Sequence, residues 1–477
     1  MQIYDFTMIE QSFIQQIIQN IPFKLSEDQT NALLKLQEFF EDPSPYSIFV
    51  LRGYAGTGKT SLISALVNAM HLPGLSITLM APTGRSAKVL SNYSGLQSYT
   101  IHRVIYQATA ALPEEGGSFS LAPGGRRGSL FVVDEASMIG SQGNSFGLFG
   151  SGDLLGDLLS FASCTEGSRL ILVGDSAQLP PVGEDNSPAL DISFLEGRYG
   201  LKVYHYTMKE ILRQKETSGI LYNATTIRNL LEGENTPKIN CHFNDTHQIS
   251  GAELIDAIDT SYRNYGLENV MIICYSNKRA LAYNLGIRSQ VLDFEEEIVR
   301  GERLVVTRNN YHYATKKDRT DFLANGEIIE TTHLGNRIDL YNKRFCEAEI
   351  FREDENREQS VTLLLDSLTS ETAQMTGQER ESFYNEVMLD YQEITSIVKQ
   401  REELKKNPYW NALEVKYAYA LTCHKAQGGQ WPCIFIDMGL MSIIPSDANL
   451  IRWLYTAITR AEKEVFFVNT PKEMVEP

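Results

Sequence analysis

Eight residues near the N-terminus have the types and spacing that bind a polyphosphate. The run Gly53-Tyr54-Ala55-Gly56-Thr57-Gly58-Lys59-Thr60 has the form G-x-x-x-x-G-K-T and follows the apolar stretch 48–51. Glycines let backbone N–H groups crowd the phosphates, and the helix that follows directs the positive end of its dipole at them. Lys59 and Thr60 are placed to reach the terminal phosphates and Mg²⁺. The run therefore predicts a nucleoside triphosphate site.

An acidic pair follows another apolar stretch. Asp134 and Glu135 come directly after residues 130–133, the usual setting for a carboxylate that holds Mg²⁺ opposite the hydroxyl of Thr60. Since side chains alternate at a strand end, the two carboxylates are expected to point differently. We predict Thr60 and Asp134 as metal ligands, and Glu135 as the group that orients and deprotonates water. Asp-Glu pairs are also common in solvated turns.

Several apolar strands precede loops that can carry such groups. They lie at 48–51, 77–80, 130–133, 170–173 and 271–274, each before a polar or glycine-rich loop. Fully apolar strands between helical segments predict a parallel sheet buried on both faces. In such sheets ligands bind at the carboxyl ends of the strands. The predicted fold class is α/β, with one site assembled from several loops.

Length and charge bound the class of protein. A chain of 477 residues is too long for one ordinary core, so about three domains are expected. The net charge of −17 argues against nucleic acid as a partner, although a basic groove can coexist with acidic outer faces. The sequence has no run of about 18 apolar residues, so no membrane span is predicted. Six widely spaced cysteines without a C-x-x-C pair indicate free thiols and a cytoplasmic protein.

A series of motifs resembles superfamily 1B helicases, the group that includes RecD, phage Dda and the Pif family. The pieces occur in the order found in that family, over about residues 20 to 470. They are Leu25-Ser26-Glu27-Asp28-Gln29 (Q motif), Thr100-Ile101-His102 (motif Ib), Asp134-Glu135-Ala136-Ser137-Met138 (motif II), Gly174-Asp175-Ser176-Ala177-Gln178-Leu179-Pro180-Pro181-Val182 (motif III), Glu210-Ile211-Leu212-Arg213-Gln214 (first arginine finger), Thr422-Cys423-His424-Lys425-Ala426-Gln427-Gly428 (motif V) and Leu454-Tyr455-Thr456-Ala457-Ile458-Thr459-Arg460-Ala461 (motif VI).

The resemblance implies two RecA-like domains with ATP and Mg²⁺ between them. The first would supply Lys59, and the second would supply Arg213 and Arg460 as arginine fingers. Gln178 would report the γ-phosphate to the DNA-facing side. The implied nucleotide contacts also include Gln29, which reads adenine, the loop residues Gly56, Thr57 and Gly58, and Gln427 and Gly428 of motif V.

The resemblance also implies residues that hold single-stranded DNA. Hydroxyl, amide and imidazole groups can hold phosphates without reading sequence. The alternative for each histidine is a buried, hydrogen-bonded side chain with no ligand. The implied contacts are Pro82, Thr83, Gly84, Thr100 and His102 in the first domain, and Asn277, Thr422 and His424 in the second.

Two inserts complete the predicted architecture. Residues 107–128 are rich in glycine and predict a β-hairpin, either a strand-separating pin with Phe119 as its wedge or a mobile surface loop. Residues 301–410 predict a small β-barrel, followed by a capping box at 376–379 and one long helix. The barrel and its helical tower resemble the Dda subgroup more than RecD. The predicted domains are 1–200 with the 107–128 insert, 201–300 joined to 411–477, and the barrel insert 301–410.

The expected function is that of an ATP-dependent DNA helicase moving 5′ to 3′, with the polarity implied by the resemblance alone. Expected partners are single-stranded and forked duplex DNA, with a single-strand-binding or repair protein as a candidate. The protein is expected to be a monomer, cytoplasmic and associated with the nucleoid. Two other functions stay open, a translocase that strips bound proteins without separating strands and a nucleotide-gated adaptor. RNA also stays open as a substrate.

Overall fold

The computed structural model describes most of the chain. The described residues are 18, 21, 23–44, 47–70, 75–108, 119–142, 150–211, 218–233, 236–310, 312–313, 322–353, 356–441, 443–444 and 447–476. Arg213, predicted as an arginine finger, lies outside them, and so does the side chain of Phe119.

The first lobe is built on a six-stranded parallel sheet. Its strands are β1 (Ser47–Gly53), β2 (Ser76–Ala81), β3 (Ser98–Thr100), β6 (Ser129–Val133), β7 (Arg169–Gly174) and β8 (Lys202–Met208), in the order β3-β2-β6-β7-β1-β8. The helices are Glu27–Glu41, Lys59–Ala69, Gly84–Ser94, Ile101–Ile105, Leu154–Cys164 and Ile192–Tyr199.

Alternate residues of β1, which lies between β7 and β8, enter different cores. Phe49 and Leu51 pack in one apolar cluster, whereas Ile48 and Val50 pack in another on the opposite face. A strand covered on both faces in this way must be apolar throughout. This explains why the sequence showed continuous apolar runs and not an alternation.

The second lobe has a five-stranded parallel sheet. Its strands are β9 (Thr246–Ile249), β10 (Val270–Cys274), β16 (Ala420–Thr422), β17 (Trp431–Asp437) and β18 (Ala461–Val468), in the order β16-β10-β17-β18-β9. The helices are Gly219–Asn229, Leu254–Tyr265, Asn277–Gln290, Cys423–Ala426 and Ala448–Ile458. The predicted α/β class with two RecA-like sheets is confirmed.

The boundary predicted at residue 200 is wrong. β8 pairs with β1 along its whole length, from Ser47–Lys202 to Gly53–Met208, so the first lobe extends to at least residue 208. β8 is the edge strand of the sheet and is largely half-exposed. Its sequence therefore lacks the continuous apolar run by which the other strands were recognised.

The insert in the first lobe begins and ends as a β-hairpin. β4 (Tyr106–Ala108) and β5 (Phe119–Leu121) pair antiparallel, with Tyr106 opposite Leu121. The predicted hairpin is confirmed over these strands.

The insert in the second lobe is a closed five-stranded barrel. Its strands are β11 (Arg303–Val306), β12 (Ile328–Leu340), β13 (Lys343–Arg352), β14 (Arg357–Leu364) and β15 (Leu413–Tyr417). The predicted end at residue 410 is wrong, because β15 pairs with both β11 and β14 to close the barrel. The second lobe resumes at β16.

The tower is two helices and not the one long helix predicted. The capping box of Thr376 and Glu379 is present and opens the helix Gly377–Met388. A 3-10 turn, Leu389–Tyr391, follows, and the next helix is Ile397–Lys406. The tower packs on the barrel strands through Phe383 and Val387, which cluster with Phe345 and Leu364. Apolar residues continue across the turn, so periodicity alone did not reveal the break. The short helix Asp366–Thr369 precedes the tower.

The two crossings between the second lobe and the barrel are bonded to each other, and we call this cluster the joint. Arg288, near the end of Asn277–Gln290, pairs with Glu302 just before β11, with N–O distances of 2.9 and 2.8 Å. Tyr419, between β15 and β16, donates its hydroxyl to the same carboxylate at 2.9 Å. Arg288, Glu302 and Tyr419 are all buried. A buried ion pair is weak evidence for added stability, but removal of one partner would leave a buried charge unpaired.

The six cysteines are free thiols, as predicted. Among the described residues, no helix has the length and apolar character needed to cross a membrane.

Candidate active site

The G-x-x-x-x-G-K-T run forms a loop between β1 and the helix Lys59–Ala69. Gly56 and Gly58 have φ angles of 79° and 81°, a left-handed backbone that glycine adopts without steric cost. The Lys59 ammonium donates to the carbonyls of Gly53 and Tyr54, at 2.7 and 3.0 Å. The loop therefore has the shape and the helix N-terminus that a phosphate group requires.

Two hard oxygen ligands for a metal ion meet beside the loop. Thr60 Oγ1 donates to Asp134 Oδ2 at 3.1 Å. Burial raises the pKa of Asp134, while the backbone N–H of Glu135 and the charge of Lys59 act to lower it. Among the described residues, no group of three His, Cys, Asp or Glu side chains could hold a metal. Mg²⁺ at such a site needs only one or two protein ligands beside phosphate oxygens, so Thr60 and Asp134 fit it.

Glu135 lines the same cavity as Asp134. Its φ of 53° is left-handed, a strained conformation for a glutamate and one that concentrates at functional sites. Burial raises the pKa of its carboxyl, and the nearby Arg460 acts to lower it. The backbone turn thus aims a proton acceptor into the space in front of the phosphate loop.

A cavity of about 390 Å³ lies in front of these groups and is lined by both lobes. The first lobe contributes the phosphate loop, both acidic residues, and motif III. The second lobe contributes Gly428 and the chain around Arg460. The lining includes Gln29, Gly56, Gly58, Lys59, Thr60, Asp134, Glu135, Asp175, Gln178, Gly428 and Arg460.

Arg460 approaches the acidic pair from the second lobe. Its guanidinium is held by the carbonyls of Thr456 and Gly429 and by the hydroxyl of Thr459, at 3.1 to 3.2 Å. Its Nη1 lies 4.0 Å from Glu135 Oε1. A buried cation thus lies across the cavity from Lys59.

Two glutamines line the cavity. Each has one buried side-chain atom with no hydrogen-bond partner among the described residues. These atoms are Nε2 of Gln29 and Oε1 of Gln178. Ser26 N donates to Gln29 Oε1 at 3.1 Å, which fixes the amide with its nitrogen as the spare donor. Buried polar groups are normally paired, so both atoms are suited to a polar ligand.

Motifs V and VI of the second lobe are bonded to motif III of the first. Gln427 donates to the Leu179 carbonyl at 2.8 Å, and Thr456 Oγ1 accepts from Leu179 N at 2.9 Å. Gln427 is absent from the cavity lining and lies behind it. The Thr57 hydroxyl is turned toward the Tyr54 carbonyl, 2.8 Å away. Both were predicted as direct nucleotide contacts, and here both shape the walls.

The predicted DNA contacts of the first lobe lie at one edge of its sheet. Pro82 and Thr83 follow β2 and Thr100 ends β3, with Ala81 opposite Thr100 in the register. Thr83 caps the helix that begins at Gly84. Burial lowers the pKa of His102 to about 4, which keeps the ring neutral near pH 7.

The contacts predicted in the second lobe lie at the matching edge. Thr422 ends β16 and lies opposite Cys274 of β10. Asn277 begins the helix that follows β10. Thr422 and Asn277 line a small cleft against the barrel together with Lys425. His424 is exposed beside them.

Lys425 is a residue that the sequence analysis quoted without giving it a role. Its Nζ is buried and has no hydrogen-bond partner among the described residues. Burial, together with the charge of Lys416, lowers its pKa to about 8. A lysine inside a matched motif was the available signal. Tyr455 and Asp175 were missed in the same way, since both were quoted within motifs.

The AAA domain family model matches residues 24–240, and the model of the UvrD-like helicase C-terminal domain matches residues 417–468. These two regions contain the phosphate loop and Arg460, respectively.

Individual relatives give the same picture. The chain is 33% identical over 158 residues to the ATP-dependent RecD2 DNA helicase of Deinococcus radiodurans, an alignment covering 33% of this chain but only 18% of that protein. It is 23% identical over 473 residues to the ATP-dependent DNA helicase dda of Enterobacteria phage T4, covering 93% of this chain and 99% of that one. A solved Pif1 helicase from Bacteroides, in complex with ADP-AlF3 and ssDNA, is 15% identical with a TM-score of 0.47 and 95% coverage of each chain.

The resemblance to superfamily 1B helicases of the RecD, Dda and Pif type is confirmed by the family models and relatives. They support the predicted enzyme class, an ATP-hydrolysing DNA helicase.

Proposed function

We propose that this protein binds and hydrolyses ATP in the cleft between its two lobes and uses the closing and opening of that cleft to move 5′ to 3′ along single-stranded DNA and open duplexes. The observation that carries the proposal is the cavity itself. Its phosphate-binding wall belongs to the first lobe, and Arg460, 4.0 Å from Glu135, belongs to the second.

The side chains have complementary tasks in phosphoryl transfer. Mg²⁺, when held by Thr60 and Asp134, would neutralise phosphate charge. Lys59 and Arg460 place cations on either side of the transferring group, which is the main requirement of this chemistry. Glu135 accepts a proton from the attacking water. Gln29 offers its Nε2 donor to the base, and Arg213 stays a predicted second finger.

Closure and DNA grip are coupled because the same loops serve both. Motif III leads from the sheet into the cavity at Gln178, and motif V runs from Thr422 to Gly428, which lines the cavity. A change in the distance between the lobes therefore changes the spacing of the two DNA-facing edges. Polarity, the pin role of the 107–128 insert, a monomeric state, protein partners and nucleoid association stay predictions.

The decisive experiment pairs polarity with a matched lysine control. Purified protein with ATP is expected to open a duplex that carries a single-stranded 5′ tail. It should leave a duplex with a 3′ tail closed. Lys59→Ala should abolish DNA-stimulated hydrolysis and unwinding. Lys35→Ala should leave both unchanged, since Lys35 is exposed, pairs with Glu38 on the surface and is not part of the cavity lining.

Two results would contradict the proposal separately. Opening of only the 3′-tailed substrate would overturn the predicted polarity but would not contradict ATP-driven movement along DNA. Turnover retained by Lys59→Ala would remove the phosphate-loop assignment.

A further inference from the structure

The Tyr455 hydroxyl joins three parts of the site that are far apart in sequence. Tyr455 lies on the helix Ala448–Ile458 of the second lobe. Its oxygen accepts from Ala55 N of the phosphate loop at 2.8 Å. The same hydroxyl donates to Asp175 Oδ2 of motif III at 2.6 Å. One side chain of the far lobe is therefore bonded to two functional loops of the near lobe.

Asp175 passes this contact on to Gln178. The other carboxylate oxygen of Asp175 accepts from Ala177 N at 2.9 Å, and the Asp175 carbonyl accepts from Gln178 N at 3.2 Å. The turn that places Gln178 in the cavity is thus organised around Asp175. Asp175 is 1% exposed, so its carboxylate depends on these protein donors and has little access to solvent.

Leu179, the residue after Gln178, is bonded both to the helix Ala448–Ile458 and to motif V. Thr456 accepts from Leu179 N at 2.9 Å, and Gln427 donates to the Leu179 carbonyl at 2.8 Å. Gln178 therefore lies between two positions that the second lobe fixes through side-chain hydrogen bonds. This pattern is more than packing, because each bond ends on the short segment that carries Gln178.

We propose that Tyr455 is a positioning residue that transmits the approach of the second lobe to the phosphate loop and to Gln178. The inference rests on the proposed function and deepens it, since it names the contact by which lobe closure sets the geometry for hydrolysis. Tyr455 acts through Ala55 and Asp175 and does not itself touch the reacting atoms. Burial raises the pKa of Tyr455 well above its ordinary value, which keeps the hydroxyl available as a donor to Asp175.

The test removes one oxygen and keeps the ring. Tyr455→Phe is expected to lower kcat for ATP at saturating single-stranded DNA at least tenfold, while KM for ATP changes by less than threefold because Lys59 and Thr60 remain. The DNA-stimulated rate should fall by a larger factor than the unstimulated rate. Thr456→Val, which removes the grip on Leu179 N, should show the same split between kcat and KM.

The matched control is Tyr419→Phe. Tyr419 is also a buried tyrosine that donates to a buried carboxylate, that of Glu302, but it lies at the joint. Its ATPase kcat should stay within twofold of the unsubstituted protein. Thermal unfolding of each variant shows whether it is folded.

Combination with Gln178→Ala tests the route of transmission. If Tyr455 acts through Gln178, the double variant Tyr455→Phe/Gln178→Ala should have a kcat no lower than the worse single variant. A folded Tyr455→Phe protein with kcat within twofold of the unsubstituted chain would overturn the proposal, and so would an equal loss in Tyr419→Phe. Absence of DNA-stimulated hydrolysis in the unsubstituted protein would instead overturn the proposed function.

Discussion

Arg460 is held in place before any chemistry begins. Three acceptors of its own lobe fix the guanidinium, and its side chain is 3% exposed. A cation ordered in this way pays little reorganisation cost when charge develops opposite it. In the proposed mechanism Arg460 is therefore a finger fixed to its lobe, and not a mobile one.

Replacing Arg460 by alanine should lower kcat for DNA-stimulated hydrolysis by about 10³-fold, the scale of arginine fingers. Arg460→Lys should also lose most activity, because an ammonium cannot reproduce the planar fork. Steady-state ATPase assays with thermal unfolding as a folding check measure both. Arg263→Ala, on a surface helix and paired only with Asp259, is the control. A loss below tenfold in folded Arg460→Ala would argue against the finger role.

Sequence identified the residues whose chemistry is local to a motif. Lys59, Thr60, Asp134 and Glu135 lie together in the cavity because each follows directly from a strand of the same sheet. Tyr455 was not predicted, since its partner Ala55 lies 400 positions away. Nothing in the pattern of motif VI indicates which backbone N–H its tyrosine meets.

The motif V loop and the first turn of Gly84–Ser94 approach each other as two elements in close contact. Gly428 has a φ of 72°, and a Cβ there would lie 2.9 Å from the Ser86 Cβ and 3.2 Å from Thr83 Oγ1. Only glycine permits both the backbone conformation and the distance. The cavity and the turn at Thr83, which is predicted to contact DNA, therefore meet at one residue.

We expect Gly428→Ala to separate these elements and to lower DNA-stimulated hydrolysis at least tenfold, with single-stranded DNA affinity also reduced. Gly301→Ala is the matched control, because Gly301 has a φ of 80° but open space around its Cβ position. Both variants carry the same backbone strain. ATPase titrations with single-stranded DNA distinguish them, and equal losses in the two variants would show that strain alone explains the effect.

The strands of the two parallel sheets that the sequence analysis predicted are those with a continuous apolar run followed by a polar or glycine-rich loop. β1, β2, β6, β7 and β10 were all found from continuous apolar runs. β8 was assigned to the wrong lobe because an edge strand does not need such a run, and its partner β1 lies about 155 positions earlier. The tower was predicted as one helix because apolar residues keep their helical spacing across the 3-10 turn Leu389–Tyr391, where the first helix ends.

The two lobes of the whole molecule are also joined by an aromatic contact. The Arg85 guanidinium lies 3.9 Å from the ring centroid of Trp431, and its Nη2 donates to the Gln430 carbonyl at 3.4 Å. Arg85 belongs to the first lobe, whereas Trp431 begins β17 of the second. Such stacking is worth about 0.5–2 kcal/mol depending on exposure, enough to bias an open–closed equilibrium.

Arg85→Ala should therefore raise KM for ATP about threefold or more, because the nucleotide must close the lobes without this contact. Trp431 is one of three tryptophans, so closure should change intrinsic fluorescence, and Trp431→Phe should remove most of that change. Arg198→Ala, which loses stacking on Phe194 within one lobe, should leave KM unchanged. A nucleotide-dependent signal that is the same in Arg85→Ala as in the unsubstituted chain would contradict the closure role.

The joint of Arg288, Glu302 and Tyr419 has a mechanical consequence. Two residues separate β15, which leaves the barrel, from β16, which enters the second sheet, and Glu302 at the other crossing is bonded to Arg288 and Tyr419. The barrel is therefore tied to the second lobe at both crossings, and in the proposed mechanism it would move together with that lobe as a lever.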